Sequence, residues 1–157
     1  MTNRPTKEYL SEQKFFSGLS PEAIEFLAGC AYQQQIEADQ LVFPVGEHAS
    51  KFYLIRSGSI CVEIPAIMGP ALRVQSLGPG QILGWSWLIP PYKWTFQARA
   101  EAPSDLLEFD GEKVLARCEE DPTFGYELLK RFASLMSMRL EAARQSMMEQ
   151  WNPPGFA

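Results

Sequence analysis

The alternation of apolar and polar positions divides the chain into three stretches. The first is helical. Ser20-Pro21-Glu22 reads as a helix start, with serine as cap, proline in the first turn and glutamate at the positive helix end. Ile24, Leu27 and Ala28 then give an apolar stripe that Gly29 ends. Residues 1–14, polar and without such a stripe, read as a loose arm. From Gln33 to Phe109 the period changes. Leu41-Val42-Phe43, Phe52-Tyr53-Leu54-Ile55, Ile60-Cys61-Val62-Glu63-Ile64 and Leu72-Arg73-Val74-Gln75 are short apolar-rich runs cut by turn residues about every ten positions. Two more strands are expected at about 94–101 and 105–109. Strands of this length and spacing predict an antiparallel sandwich or barrel rather than alternating β–α units. After Phe109 the spacing becomes helical again. Asp110 is placed to cap a short helix through Cys118, and Asp121-Pro122 opens a second one. In it Leu128, Phe132, Leu135, Met136, Leu140, Ala143 and Met147 recur at steps of three and four up to Gln150. That helix would be roughly 40 Å long at 1.5 Å per residue, and the Pro-Pro-Gly tail in 151–157 would stop it.

Composition narrows the function. The chain has 157 residues, 14 basic and 19 acidic side chains and a net charge of −5. One domain, taken here as 15–150, is the expectation at this length. An acidic balance disfavours a stand-alone nucleic-acid binder, which needs clustered Lys and Arg against phosphates. No apolar run approaches a membrane span, and the N-terminus has no signal-peptide core. Cys30, Cys61 and Cys118 are too scattered for a zinc site or a disulfide framework, so reduced thiols in a cytoplasmic protein are expected. His48 is the one histidine, and no nucleophile is placed beside it. We therefore expect no enzyme, no catalytic residues, no metal and no cofactor.

The turns carry a more specific signal. Leu41-Val42-Phe43, Gly46-Glu47, Phe52-Tyr53-Leu54-Ile55, Gly58, Ile60 and Val62 stand in the order and spacing of cyclic-nucleotide-binding domains. Leu77, Gly80 and Leu83-Gly84 continue the match, and Phe16-Ser17-Gly18-Leu19-Ser20 resembles the family's lead-in segment. The resemblance covers about 14–150. It implies an α+β fold: an eight-stranded antiparallel jelly roll with a short N-terminal helix and C-terminal helices, the last one long. Gly46, Gly58 and Gly80 are then hairpin or bulge positions needing positive φ.

The resemblance also implies a pocket inside the roll. In the family, a Gly-Glu pair presents backbone N–H groups to a cyclic phosphate and a carboxylate to the ribose, and an arginine followed by Ser, Thr or Ala pairs with the phosphate. Here Gly84-Trp85-Ser86-Trp87 occupies the first segment and Trp94-Thr95 the second. An indole is a donor only and carries no charge. Each lost charge-assisted hydrogen bond is worth roughly 1.5–3 kcal/mol, so two losses predict binding of cyclic AMP or GMP weaker by roughly 10²–10⁴. The candidate pocket is thus Gly84, Trp85, Ser86, Trp87, Lys93, Trp94 and Thr95. Lys93 is included because a one-residue register shift in the 89–92 loop would turn it inward. The tryptophans either fill the roll or stack on an unidentified flat ligand. The corresponding functions are a regulatory sensor domain, or a ligand-free module acting on a protein partner.

Family regulators often carry a DNA-reading helix pair after the long helix. Only Trp151 to Ala157 follow it here, so no direct DNA binding is expected. A homodimer is expected through the long helix, with Leu135, Met136, Leu140, Ala143 and Met147 as the seam.

Overall fold

A computed structural model describes residues 6–150. The chain begins with α1 (Thr6–Glu12), a 3₁₀ turn over Lys14–Phe16 and α2 (Pro21–Gly29). Ser20 caps α2 as expected, its hydroxyl accepting from the Ala23 N–H at 3.1 Å. The loose arm expected over 1–14 is corrected at Thr6–Glu12, which is helical. Leu10 is fully buried and Tyr9 packs against the core, so this short helix is held by insertion of its apolar residues rather than by intrinsic propensity.

Eight strands follow: β1 (Ala31–Ile36), β2 (Leu41–Phe43), β3 (Lys51–Ser57), β4 (Ile60–Ile64), β5 (Leu72–Leu77), β6 (Ile82–Leu83), β7 (Gln97–Ala100) and β8 (Ser104–Asp110). They form two antiparallel four-stranded sheets, ordered β1-β8-β3-β6 and β2-β7-β4-β5. This is the expected jelly roll. The strand expected at 94–101 is shorter, because only Gln97–Ala100 joins the ladder. Residues 94–96 instead cross the mouth of the roll. Trp94 is tied there by its N–H to the Glu47 carbonyl at 3.0 Å and by its carbonyl to the Gly46 N–H at 2.8 Å. The three turn glycines all take positive φ: Gly46 at 90°, Gly58 at 94° and Gly80 at 86°.

Two helices close the structure. Asp110 caps α3 (Gly111–Glu120), its carboxylate accepting from the Glu112 and Lys113 N–H groups at 3.1 and 3.3 Å. Asp121 then accepts from the Phe124 N–H at 3.3 Å as α4 (Pro122–Gln150) begins. Leu128 and Phe132 on α4 are fully buried. An aromatic stack runs from the helix into the roll. Phe132 meets Phe52 edge-on at 5.4 Å, and Phe52 lies parallel to Phe109 at 4.5 Å. The first half of α4 is therefore fixed to the sheets, and its continuation lies across the roll's open end.

Candidate functional site

Where the second half of α4 crosses the roll it borders a half-open cavity of about 210 Å³. Its floor is apolar, built from Phe43, Val62, Val74 and Leu83; the turn Gly84-Trp85-Ser86 and the segment 94–96 form its sides. The remaining wall is α4, through Met136, Arg139, Leu140 and Ala143. The turn is shaped by Gly84, whose φ of 96° suits glycine. A β-carbon there would lie 2.8 Å from Cη2 of Trp94, so glycine lets the indole lie flat against the backbone.

Five of the seven pocket residues expected from sequence line this cavity: Gly84, Trp85, Ser86, Trp94 and Thr95. Their common location is a geometric fact; their contact with a ligand is a proposal. The three indoles, indistinguishable in sequence, have separate placements. Trp94 is buried and stacks on Phe43 at a centroid distance of 3.7 Å. Trp85 is half-buried at the cavity edge. Trp87 does not line the cavity. It points into the core, stacked on Phe52 at 4.9 Å and edge-on to Phe132 at 5.3 Å, with its N–H donating to the Gly84 carbonyl at 3.2 Å. Lys93 does not line it either. It is exposed, and its backbone bridges to His48. The inward turn of Lys93 is excluded because Trp94, next to it, already holds the inner position.

Arg99 does not line the cavity. Its Nε donates to Glu63 Oε1 at 3.0 Å and its Nη1 to the Asp39 carbonyl at 2.7 Å. Gln97 Nε2 donates to the same Glu63 oxygen at 2.6 Å. Among the described residues, the charged side chain in the cavity lining comes from α4. Arg139 on α4, 8% exposed, lines the cavity, donates from Nη2 to the Ile82 carbonyl, and holds its guanidinium 5.6 Å from the centre of the Trp85 ring. Sequence reading passed over it. A usable signal existed, because Arg139 stands seven residues after Phe132 and so shares the helix face that meets the roll.

The other reactive side chains are placed away from the cavity. Burial pushes the Cys30 and Cys61 thiols up and carries Cys118 to about 11, so these thiols stay protonated at neutral pH. His48 is exposed, its Nε2 3.9 Å from Glu112 Oε1. Among the described residues no three His, Cys, Asp or Glu side chains form a metal-binding group, and no helix is long and apolar enough to cross a membrane.

Of the five residues expected in the helix seam, Leu140 and Met147 are strongly exposed, at 72% and 67%. Ala143 is half-buried. Leu135 and Met136 are also half-buried and pack against the protein's own core, because they share the inner face of α4 with Phe132. The exposed part of the stripe is thus narrower than the sequence suggested.

Comparison with known proteins agrees with this architecture. The sequence model of the cyclic nucleotide-binding domain matches residues 33–121, more than half of the chain. A Cyclic AMP receptor protein from Thermus thermophilus is 25% identical over 128 residues, which cover 82% of this chain and 57% of that relative. The chain therefore spans little more than half of that relative's length. Among solved structures, a candidate cyclic nucleotide-binding protein from Geobacter metallireducens GS-15 superposes with a TM-score of 0.79 at 25% identity, covering 86% of this chain and 98% of that one. A cyclic nucleotide-binding domain from Methylobacillus flagellatus KT gives 0.77 at 18% identity, covering 96% and 85%.

Proposed function

Since the chain belongs to the cyclic nucleotide-binding domain family, we propose that it is a non-enzymatic sensor domain whose ligand occupies the cavity under α4 and is not 3′,5′-cyclic AMP or GMP. The observation that carries this reading is the cavity itself. It is open space of about 210 Å³ walled by the turn, the 94–96 segment and the long helix. The residues at the family's two polar anchor positions are Trp85 and Trp94, neither of which accepts a ribose hydroxyl or neutralises a phosphate. Cyclic AMP and GMP are expected to bind in the high-micromolar range or more weakly, read by tryptophan fluorescence and calorimetry. Submicromolar affinity for either would overturn the proposal.

A ligand-free interaction module is the second reading. It is favoured by Trp94, whose ring already stacks on Phe43 and occupies part of the roll's interior. A screen of nucleotides and small metabolites separates the two. A ligand present at a hundred times its dissociation constant adds about 2.7 kcal/mol of stability, and no melting shift with any compound would favour the module.

Under either reading α4 is proposed to pair two copies of the chain, through the exposed Leu140 and Met147. A two-fold helix pair buries such a stripe against itself. Leu140→Glu removes one buried leucine from each copy. At about 1.5–3 kcal/mol apiece this weakens the dimer by roughly 10²–10⁴. Sedimentation at micromolar concentration checks it: a wild-type monomer removes the proposal.

A further inference from the structure

We propose that Arg139 anchors the anionic end of the cavity's ligand, and that this ligand is a small carboxylate carrying one flat apolar ring. The proposal rests on the reading of the cavity as a ligand pocket and names what it takes. Arg139 is more than nine-tenths buried. Among the described residues no ion pair includes it, and its one hydrogen bond goes to the Ile82 carbonyl. A guanidinium has five N–H donors in a fixed fork, so most of its capacity is unused. No fully enclosed side-chain nitrogen or oxygen among the described residues lacks a partner. The spare donors are therefore not sealed in protein, and Arg139 lines the cavity. Burial alone brings its proton affinity down to about 10, with no carboxylate acting in the other direction. The group is still cationic at neutral pH, and a buried cation without a counter-ion is unfavourable.

The surroundings define the counter-ion. The guanidinium fork matches a carboxylate with two parallel hydrogen bonds. The Trp85 ring stands within cation–π range of the same guanidinium and, with the Ile82 bond, fixes its orientation before a ligand arrives. Arg139 is the one charged residue in the lining, so the walls suit a monoanion rather than a phosphate dianion. Size sets the body. A dry cavity of about 150 Å³ takes benzene, whereas drug-sized ligands need about 300–1,000 Å³. At about 210 Å³ this cavity fits a benzenoid ring with its carboxylate. Phe43, Trp94 and Leu83 supply the apolar faces against which the ring lies.

Benzoate, its neutral isostere benzamide, inorganic phosphate and cyclic AMP are titrated into the intact chain and into Arg139→Gln and Arg139→Lys, with ligand-observed NMR and tryptophan fluorescence as readouts. Benzoate is expected to bind roughly 10- to 100-fold more tightly than benzamide, with phosphate weaker than benzoate. Arg139→Gln should bring benzoate down to the level of benzamide and leave benzamide itself unchanged; Arg139→Lys should keep part of the preference. Equal affinities in the wild type, a preference that survives Arg139→Gln, or no binding of benzoate at millimolar concentration each overturns the proposal. If Arg139→Gln does not fold, the wild-type ratio and its reduction in Arg139→Lys decide alone. Benzamide bound as well as benzoate defeats the anchor yet keeps the ligand pocket. Submicromolar cyclic AMP instead defeats the reading of the pocket on which the anchor rests.

Discussion

Trp87→Ala is expected to lower the folding free energy by about 3–5 kcal/mol, the range for truncating a fully buried large aromatic. Trp87 is 2% exposed and touches two aromatic partners that belong to different layers, Phe52 on β3 and Phe132 on α4. Its removal therefore opens a void at the junction that fixes the long helix to the roll. A domain of this size has about 5–15 kcal/mol in total, and each kcal/mol moves the melting temperature by about 2–4 °C, so a fall of roughly 6–20 °C should follow. Trp87→Phe keeps a ring between Phe52 and Phe132 and should lose less. Denaturant unfolding of both variants measures the difference; a loss below about 1 kcal/mol in Trp87→Ala would mean that the junction repacks, against the close-packed behaviour of protein cores.

Gly58→Ala comes next in size. Gly58 turns the chain from β3 into β4 at φ 94°. An added β-carbon there would stand 2.1 Å from Ser104 Oγ and 2.7 Å from its Cα. The Ser104 hydroxyl accepts from the Ser59 N–H at 3.1 Å and donates to the Ala102 carbonyl at 2.8 Å, so moving it also disturbs the start of β8. Left-handed backbone costs a non-glycine residue about 1–2 kcal/mol, and overpacking adds about 1–3 kcal/mol. A total of about 2–5 kcal/mol is expected. Gly46→Ala provides the contrast. It has φ 90° but nothing within 4 Å of the new carbon, so only the backbone part applies. Equal losses in the two variants would show that the approach of Ser104 contributes nothing.

The roll was legible because its turns are chemically marked. Glycine at 46, 58 and 80 announces positive φ, and each falls between runs whose alternation suits a two-layer sheet. The helix caps at Ser20 and Asp110 were equally explicit. The helix over Thr6–Glu12 was not, because it has no apolar stripe and depends on a partner surface that only folding creates. Trp85, Trp87 and Trp94 were legible as a cluster and illegible as individuals. Nothing local distinguishes an indole that stacks on Phe43 from one that supports Phe132. Arg139 was missed for a related reason. An arginine between Met138 and Leu140 reads as a solvated residue on an amphipathic helix, and only its register with Leu128 and Phe132 places it inward.

That register has a thermodynamic consequence. Consecutive residues of an α-helix are set about 100° apart, and Arg139 and Leu140 both border the cavity, the first 8% and the second 72% exposed. If an anion binds Arg139 and a second helix packs on Leu140, as proposed, both events act on adjacent residues of one helix. The two equilibria would then be linked. Whatever factor the anion adds to self-association, self-association must return to the anion, because coupling between binding sites is reciprocal. Anion affinity would thus depend on protein concentration, and the helix itself would carry the signal without any separate hinge.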